Sequence, residues 1–266
     1  MNFTVKFASL SDPGKVRKNN EDSVLIDAAL GLAIVADGMG GHKSGEVASS
    51  IAVKVTRDKY DSMRRAGMKP ESYNEKLLLD TNQLGFAVQL SNLVIYESGN
   101  SVAINKGMGT TLTAALIRGT RLCYAHIGDS RLYLFRGGAL MQITEDHSLV
   151  MEHVHKGLLT RAQAEKSPFQ NILTRALGSD KKPQIDLAEI EVMDGDRILL
   201  CTDGLFKAVS EVRTSEILRS CGDDAKTCKL LVETANINGG PDNVTVAIGT
   251  VSKRTLKTVI RDIFTK

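Results

Sequence analysis

The sequence predicts an α+β fold in which two antiparallel sheets pack face to face and helices cover their outer faces. Two observations support this prediction. Four strand-like segments between residues 110 and 144 follow one another with only short, glycine-containing turns, which is typical of an antiparallel meander. Two long helical segments lie between the first strands and this meander, and the chain shows few signs of the crossovers that join parallel strands.

The first third of the chain supplies the opening strands and the long helices. Alternating Phe3, Val5 and Phe7 predict a strand with one buried face, and further strands are expected at 23–26 and 34–36. The first helix is predicted to begin near Ser44, and the second to run from about Tyr73 to Glu97, with Gly99-Asn100 ending it. Their predicted buried faces are Val47, Ile51 and Val55 in the first helix and Leu77, Leu84, Val88 and Ile95 in the second.

The rest of the chain alternates strands with shorter helices. A more polar segment, about residues 146–180, is predicted to form a small flap after the meander. The meander strands are predicted at 110–117, 121–127, 131–135 and 140–144. Beyond the flap the predicted elements are strands 185–192 and 197–202, helices 215–219 and 225–236, and a last strand 244–251. Because no internal repeat or low-complexity linker interrupts the chain, a single domain over residues 1–251 is predicted.

Length, composition and charge exclude several classes of protein. The 266 residues, 42% hydrophobic and 24% charged, are ordinary for a globular chain with a full core. The net charge is +3, and the stretch from Ser252 has five basic residues and one acidic residue, which leaves about −1 elsewhere and no basic face for nucleic acid. The cysteine spacing matches no zinc or redox motif, and no targeting sequence or membrane-length apolar run is present. These features predict a cytoplasmic protein without nucleic-acid partners or a membrane span.

Aspartates at strand ends give the first indication of function. Asp37 ends an apolar run and precedes Gly38, and a carboxylate beside a backbone carbonyl that glycine leaves accessible suits a hard divalent cation. Asp-Gly is also a common turn dipeptide, and Asp194-Gly195 is interpreted as an ordinary hairpin turn. Three further aspartates lie at or beside the ends of apolar strands, namely Asp129, Asp203 and Asp242. This recurrence favours a metal site over a plain turn at Asp37.

The polar loop 11–22 offers a second group of candidate residues. Arg17 precedes the carboxylate pair Glu21 and Asp22 by a few positions. One interpretation is a solvated charged loop. The functional interpretation is that the Arg17 guanidinium binds a phosphate in a bidentate manner, while Glu21 and Asp22 hold metal-bound water.

Eight ordered motifs resemble the metal-dependent Ser/Thr protein phosphatases, the protein phosphatase 2C or PPM family, in their compact bacterial form. In chain order they are RKNNEDS, VADGMGG, GMGTTLTAALI, AHIGDSRLYLF, EDHSLV, NILTRALG, CTDGLF and GGPDNVTVAI. The resemblance covers about residues 3–251. It implies a four-layer αββα sandwich, with two antiparallel sheets between helix pairs, and Mn/Mg-dependent hydrolysis of phosphoserine and phosphothreonine in proteins by metal-activated water.

The resemblance also implies a set of metal ligands. By matching position, Asp37 would bridge two tightly bound Mn²⁺ or Mg²⁺ ions, and the Gly38 carbonyl would complete one shell. Asp203 and Asp242 would hold the other ion, and Asp129 would recruit a weaker third ion. No side-chain nucleophile is then needed, because the ions activate water and screen the phosphate charge.

The remaining matches concern the phosphate and the proton donor. Arg17 matches the arginine that binds the phosphate, and Glu21 and Asp22 match outer ligands that act through water. Met39 stands where eukaryotic relatives carry a histidine that is proposed to protonate the leaving group. His42 is the nearest histidine and is the candidate acid. Alternatively, His42 is a surface residue that caps the next helix, or a metal-bound water supplies the proton.

Three classes of function are consistent with these residues. The predicted one is an active phosphatase that acts on phosphorylated proteins and opposes a cognate Ser/Thr kinase. A catalytically weak module that binds phosphoproteins is disfavoured because the predicted carboxylate ligands are intact. A structural cation-binding protein would be stabilised by calcium and would hydrolyse nothing.

The last residues, 252–266, match no motif of the family. An apolar stripe recurs at helical spacing among basic residues, which predicts a basic amphipathic helix; its members are Leu256, Val259, Ile260, Ile263 and Phe264. Packing of this helix on the protein's own body is favoured over docking to a partner or to an anionic membrane surface.

Overall fold

The computed structural model describes residues 3–40, 44–164 and 166–253. The strands are β1 (Phe3–Asp12), β2 (Asp22–Asp27), β3 (Leu32–Met39), β4 (Gly109–Thr110), β5 (Leu112–Arg118), β6 (Arg121–Ile127), β7 (Arg131–Arg136), β8 (Ala139–Gln142), β9 (Asp186–Glu191), β10 (Arg197–Cys201) and β11 (Val244–Lys253). The helices are α1 (Ser44–Ala66), α2 (Leu79–Ser101), α3 (Leu149–His155), α4 (Arg161–Ala164), α5 (Asp203–Ala208), α6 (Glu211–Ser220) and α7 (Asp224–Ile237).

The strands form two sheets in which all the described pairings are antiparallel. The first sheet has the order β1-β11-β10-β7-β8. The second sheet has the order β2-β3-β5-β6-β9, with β4 paired to β3. Since β1 and β11 pair along ten residues each, the two ends of the described chain lie side by side.

Three apolar layers hold the sheets and helices together. One lies between the two sheets and includes Val35, Leu122 and Leu200. A second lies between α1, α2 and the second sheet, and a third between α5, α6, α7 and the first sheet. The order is therefore helices, sheet, sheet, helices, and the predicted four-layer sandwich is confirmed.

Two predicted connections are wrong in their topology. The meander is divided between the sheets, because β5 and β6 belong to the second sheet whereas β7 and β8 belong to the first. The chain crosses between sheets at Gly128, whose φ of 106° is accessible to glycine. Asp194-Gly195 likewise joins β9 of the second sheet to β10 of the first, so it is not a hairpin turn. A short turn signal shows where a strand ends but not which sheet the next strand joins.

The predicted helix boundaries and faces also change. The buried face of α1 is formed by Ala48, Ala52 and Val53, and Val47 is 37% exposed, because the small alanines allow the helix to approach the sheet closely. The second helix begins at Leu79 rather than Tyr73. The Asn82 side chain accepts from the backbone N of Asn74 at 2.7 Å and donates to its carbonyl at 3.0 Å, which folds the preceding segment back as a turn.

Strand β11 continues through Ser252 and Lys253, two residues beyond its predicted end. The rest of the predicted C-terminal helix, residues 254–266, lies outside the described residues. Within the part of the chain that the structure describes, none of the helices combines the length and the apolar character that a bilayer crossing requires.

Candidate metal centre

The predicted aspartates meet at one edge of the sandwich, between the two sheets. Asp22 on β2 and Asp37 on β3 are direct partners across the strand pair. Asp129 lies at the crossing from β6 to β7, and Asp203 begins α5 directly after β10. A cavity of about 300 Å³ opens here, lined by Asp37, Asp129 and Asp203 among others. Asp242 also acts electrostatically on Asp22, so the fold brings together carboxylates that are up to 220 positions apart in the sequence.

Two threonines that the sequence analysis did not assign hold Asp37 in place. The backbone N of Asp37 donates to Thr111 Oγ1 at 2.9 Å, and the Asp37 carbonyl accepts from Thr111 N at 2.9 Å and from Thr110 Oγ1 at 2.8 Å. Thr111 Oγ1 also lies 2.7 Å from Ser130 Oγ. The motif that contains these threonines was recognised, but only the structure shows that their hydroxyls bond to the strand end that carries Asp37.

Gly38 is required by close packing of the backbone around it. A Cβ atom at this position would lie 2.2 Å from the Gly45 carbonyl oxygen and 2.6 Å from the Glu21 carbonyl oxygen. The backbone N of Gly38 donates to that Glu21 carbonyl at 3.1 Å. The glycine therefore joins the end of β3 to the loop before β2 and to the first turn of α1.

The electrostatic environment of the centre favours cations. Burial raises the pKa of Asp37 well above its ordinary value, and the neighbouring Asp22 and Asp203 carboxylates raise it further. Burial also raises the pKa of Asp22 and of Asp129. Among the described residues, Asp22 Oδ1 and Asp203 Oδ1 are buried without a hydrogen-bond partner. Clustered carboxylates with free oxygens fit the ligand preference of Mn²⁺ or Mg²⁺.

Two basic side chains bond to this cluster. Arg17 Nη2 lies 2.9 Å from Asp242 Oδ2, and Lys207 Nζ forms an ion pair with Asp203 Oδ2. In the part of the chain that the structure describes, no three His, Cys, Asp or Glu side chains are arranged as a ready-made coordination shell. The donor set fits divalent ions, and two of its carboxylates each have one oxygen bonded to a basic side chain.

Asn243 fixes the loop that carries Arg17 and Glu21. Its Oδ1 accepts from the Glu21 backbone N at 2.8 Å, and its Nδ2 donates to the carbonyls of Pro13 and Asn19 at 3.0 and 2.9 Å. The sequence analysis missed this residue, although it directly follows Asp242. The contacts explain how Arg17, which is 225 positions away from Asp242, reaches that carboxylate.

The segment 146–180, predicted as a flap, carries α3 and α4 and forms one wall of the cavity. Arg175 lines this wall and donates to Asp186 Oδ1 at 2.7 Å. Asp186 Oδ2 lies 3.1 Å from His147 Nε2, and His147 Nδ1 accepts from the backbone N of Gly128 at 3.1 Å. This network ties the flap to the residue before Asp129. Arg175 is a second arginine at the cavity that the sequence analysis did not assign.

Of the two residues considered for the leaving-group proton, only Met39 lies among the described residues. Met39 lines the cavity but has no proton to donate. His42 lies outside the described residues, so its predicted role remains a prediction.

Comparison with known proteins places this chain in a family context. The Protein phosphatase 2C family model matches residues 15–230. The serine/threonine phosphatase stp of Listeria monocytogenes is 36% identical over 90% of this chain and 92% of its own length. PstP of Mycobacterium tuberculosis is 40% identical over 94% of this chain, which spans 45% of that longer protein. A crystal structure of the PstP catalytic domain in complex with 2 manganese ions superimposes with a TM-score of 0.79 at 39% identity, covering 94% of this chain and 100% of that one.

Proposed function

Because this chain belongs to the protein phosphatase 2C family, we propose that the carboxylates around Asp37 form its metal centre. The chain is a metal-dependent protein serine/threonine phosphatase of the compact bacterial type. The observation that carries the assignment is the convergence of Asp22, Asp37, Asp129 and Asp203 at one edge of the sandwich, where Asp22 and Asp203 each have a buried oxygen without a partner.

The proposed ligands divide among the ions as follows. Asp37 would contact two tightly bound ions, the Gly38 carbonyl would serve one of them, and Asp203 and Asp242 would serve the other. Asp129 would recruit a weaker third ion. Mn²⁺ or Mg²⁺ would activate water for attack on phosphorus and screen the charge of the phosphate.

In this proposal Glu21 and Asp22 do not coordinate the ions directly but act through bound water. Asp22 Oδ2 accepts from Thr202 Oγ1 at 2.8 Å, which fixes its carboxylate beside Asp203 and leaves Oδ1 free for a water molecule. The Glu21 side chain packs against Gly45 at the start of α1: a Cβ atom added to Gly45 would lie 2.1 Å from Glu21 Oε2. Both carboxylates therefore orient water and add negative charge around the ions.

Arg17 binds the phosphate of the substrate. Its side chain is 57% exposed, so the guanidinium can turn from Asp242 toward a bound phosphate without unfolding the loop that Asn243 fixes. A guanidinium offers two parallel N–H groups to phosphate oxygens, which an ammonium cannot do.

The proton for the leaving alkoxide comes from His42 or from water, since Met39 cannot supply one. The substrates are phosphorylated proteins, and the opposing partner is a Ser/Thr kinase in the same cytoplasmic compartment. The kinase and the compartment are proposed from the class of reaction alone.

The proposal is tested by measuring phosphate release from a phosphothreonine peptide and from p-nitrophenyl phosphate with Mn²⁺, with Ca²⁺ and with a chelator. Turnover of both substrates that requires Mn²⁺ is expected. Thermal stabilisation by Ca²⁺ with no hydrolysis under any condition would instead identify a structural cation-binding protein.

A further inference from the structure

Lys207 connects the candidate metal centre to the flap. It lies on α5, one turn after Asp203, and its ammonium donates both to Asp203 Oδ2 and, at 2.7 Å, to Asn171 Oδ1. Asn171 belongs to the flap and lines the same cavity as Asp203. The Lys207 side chain is 24% exposed, so most of it is enclosed between these two partners. One ammonium thus bonds at the same time to a candidate metal ligand and to a flap residue.

Asp203, the partner of Lys207, is proposed to share its ion with Asp242. Asp242 in turn bonds to Arg17. Both carboxylates proposed for the second ion are therefore bonded to basic side chains of the protein itself.

We infer that Lys207 competes with the divalent cation for Asp203, and that the flap contact at Asn171 is released when the cation binds. This inference rests on the proposed role of Asp203 as a metal ligand. Lys207 occupies Oδ2 of Asp203 and leaves Oδ1 for an ion, which would then lie close to the ammonium, and two cations close together repel each other. Because such coupling is reciprocal, the bond from Lys207 to Asn171, which helps to hold the ammonium in place, also weakens cation binding.

The affinity for Mn²⁺ tests the competition directly. Lys207→Met keeps the approximate length and the apolar stem of the side chain and removes its charge and its N–H donors. In calorimetric titrations this variant should bind the Mn²⁺ ion assigned to Asp203 and Asp242 about tenfold more tightly than the unsubstituted protein, and Lys207→Arg should not. The matched control is Lys229→Met, since Lys229 has the same spacing to Glu233 on α7 but is 69% exposed and outside the cavity. Unchanged or weaker Mn²⁺ binding by folded Lys207→Met would overturn the inference.

Hydrogen exchange tests the link to the flap. The backbone N of Ile172 donates to the Phe169 carbonyl, and the backbone N of Leu149 donates to the Ile172 carbonyl, so both amides report on the flap next to Asn171. Addition of Mn²⁺ should speed their exchange in the unsubstituted protein. In Asn171→Ala the exchange should already be fast and insensitive to Mn²⁺, with somewhat tighter Mn²⁺ binding. If the exchange rates of these amides in the unsubstituted protein do not change when Mn²⁺ is added, the link is refuted.

Asp203→Asn separates this inference from the assignment on which it rests. If Asp203 is not a ligand, Asp203→Asn will bind Mn²⁺ normally, and the proposed metal centre fails together with the competition. If Asp203→Asn loses affinity while Lys207→Met gains none, only the competition fails. The expected pair of results is a loss of Mn²⁺ affinity in Asp203→Asn and a gain in Lys207→Met.

Discussion

Replacing Asp37 by asparagine should stabilise the protein in a chelator while it abolishes activity. The hydrogen bonds that hold residue 37 to Thr110 and Thr111 use its backbone, so an isosteric side chain leaves them intact. The substitution removes a negative charge that is disfavoured by burial and by the neighbouring carboxylates, of which Asp22 has the largest effect. Without divalent ions this charge destabilises the folded state.

The magnitude follows from the raised pKa of Asp37. Each unit by which the folded pKa of a carboxyl exceeds its unfolded pKa costs about 1.4 kcal/mol once the carboxyl is ionised. The side chain faces the cavity, where water screens it, and its neighbours share the proton uptake. We therefore expect a gain of about 1–2 kcal/mol, which corresponds to a rise in Tm of about 2–8 °C for a protein of this size.

The pH dependence gives the sign of the effect. A carboxyl with a raised folded pKa contributes stability below its unfolded pKa, and that stability is lost as the pH rises through the folded pKa. The difference in Tm between Asp37→Asn and the unsubstituted protein should therefore be small near pH 4 and grow toward neutral pH. In Mn²⁺ the order should reverse, because only the unsubstituted protein gains stability from the ions. A variant that is less stable in chelator at neutral pH, or a difference that does not change with pH, would refute the reasoning.

Three further predictions concern single roles in the reaction. Arg17→Ala should raise KM about tenfold with little change in kcat, and Arg17→Lys should recover little of it; steady-state kinetics with an unchanged KM would count against phosphate binding. Asp129→Ala should keep the two tight ions in calorimetry and turn over more slowly, whereas loss of all metal would show that Asp129 is misplaced in the proposal. His42→Ala should slow hydrolysis of a phosphothreonine peptide about tenfold and barely affect p-nitrophenyl phosphate, because only the alkoxide needs a proton; equal effects on both substrates would indicate a structural role.

The order and type of most elements could be predicted from local patterns. The alternation in β1 and the turn glycines of the meander depend on neighbours in sequence, and the structure confirms those strands. Sheet membership was not predictable in this way, since the crossing at Gly128 depends on which apolar layer each strand face joins. The face of α1 was misassigned because close packing favoured Ala48 and Ala52 over larger side chains that looked more hydrophobic.

The residues of the candidate site likewise divide into those that the sequence identifies and those that only the fold identifies. Asp37 and Asp203 were found because aspartates at the ends of apolar strands recur in the sequence. Thr111, Asn243 and Lys207 were missed, because their roles depend on contacts with residues that are distant in sequence or belong to another element. A candidate ligand at a strand end can be recognised in the sequence, whereas the side chains that orient the ligand can be identified only in the folded structure.

The central claim is that Asp203 is one of the carboxylates that hold the catalytic ions. Its most direct test is the rate of phosphate release from a phosphothreonine peptide by Asp203→Asn at saturating Mn²⁺. Asparagine keeps the shape of the side chain and removes one anionic ligand, so the rate should fall about 100-fold or more, a barrier increase of about 2.7 kcal/mol. Turnover close to that of the unsubstituted protein under the same conditions would contradict the assignment.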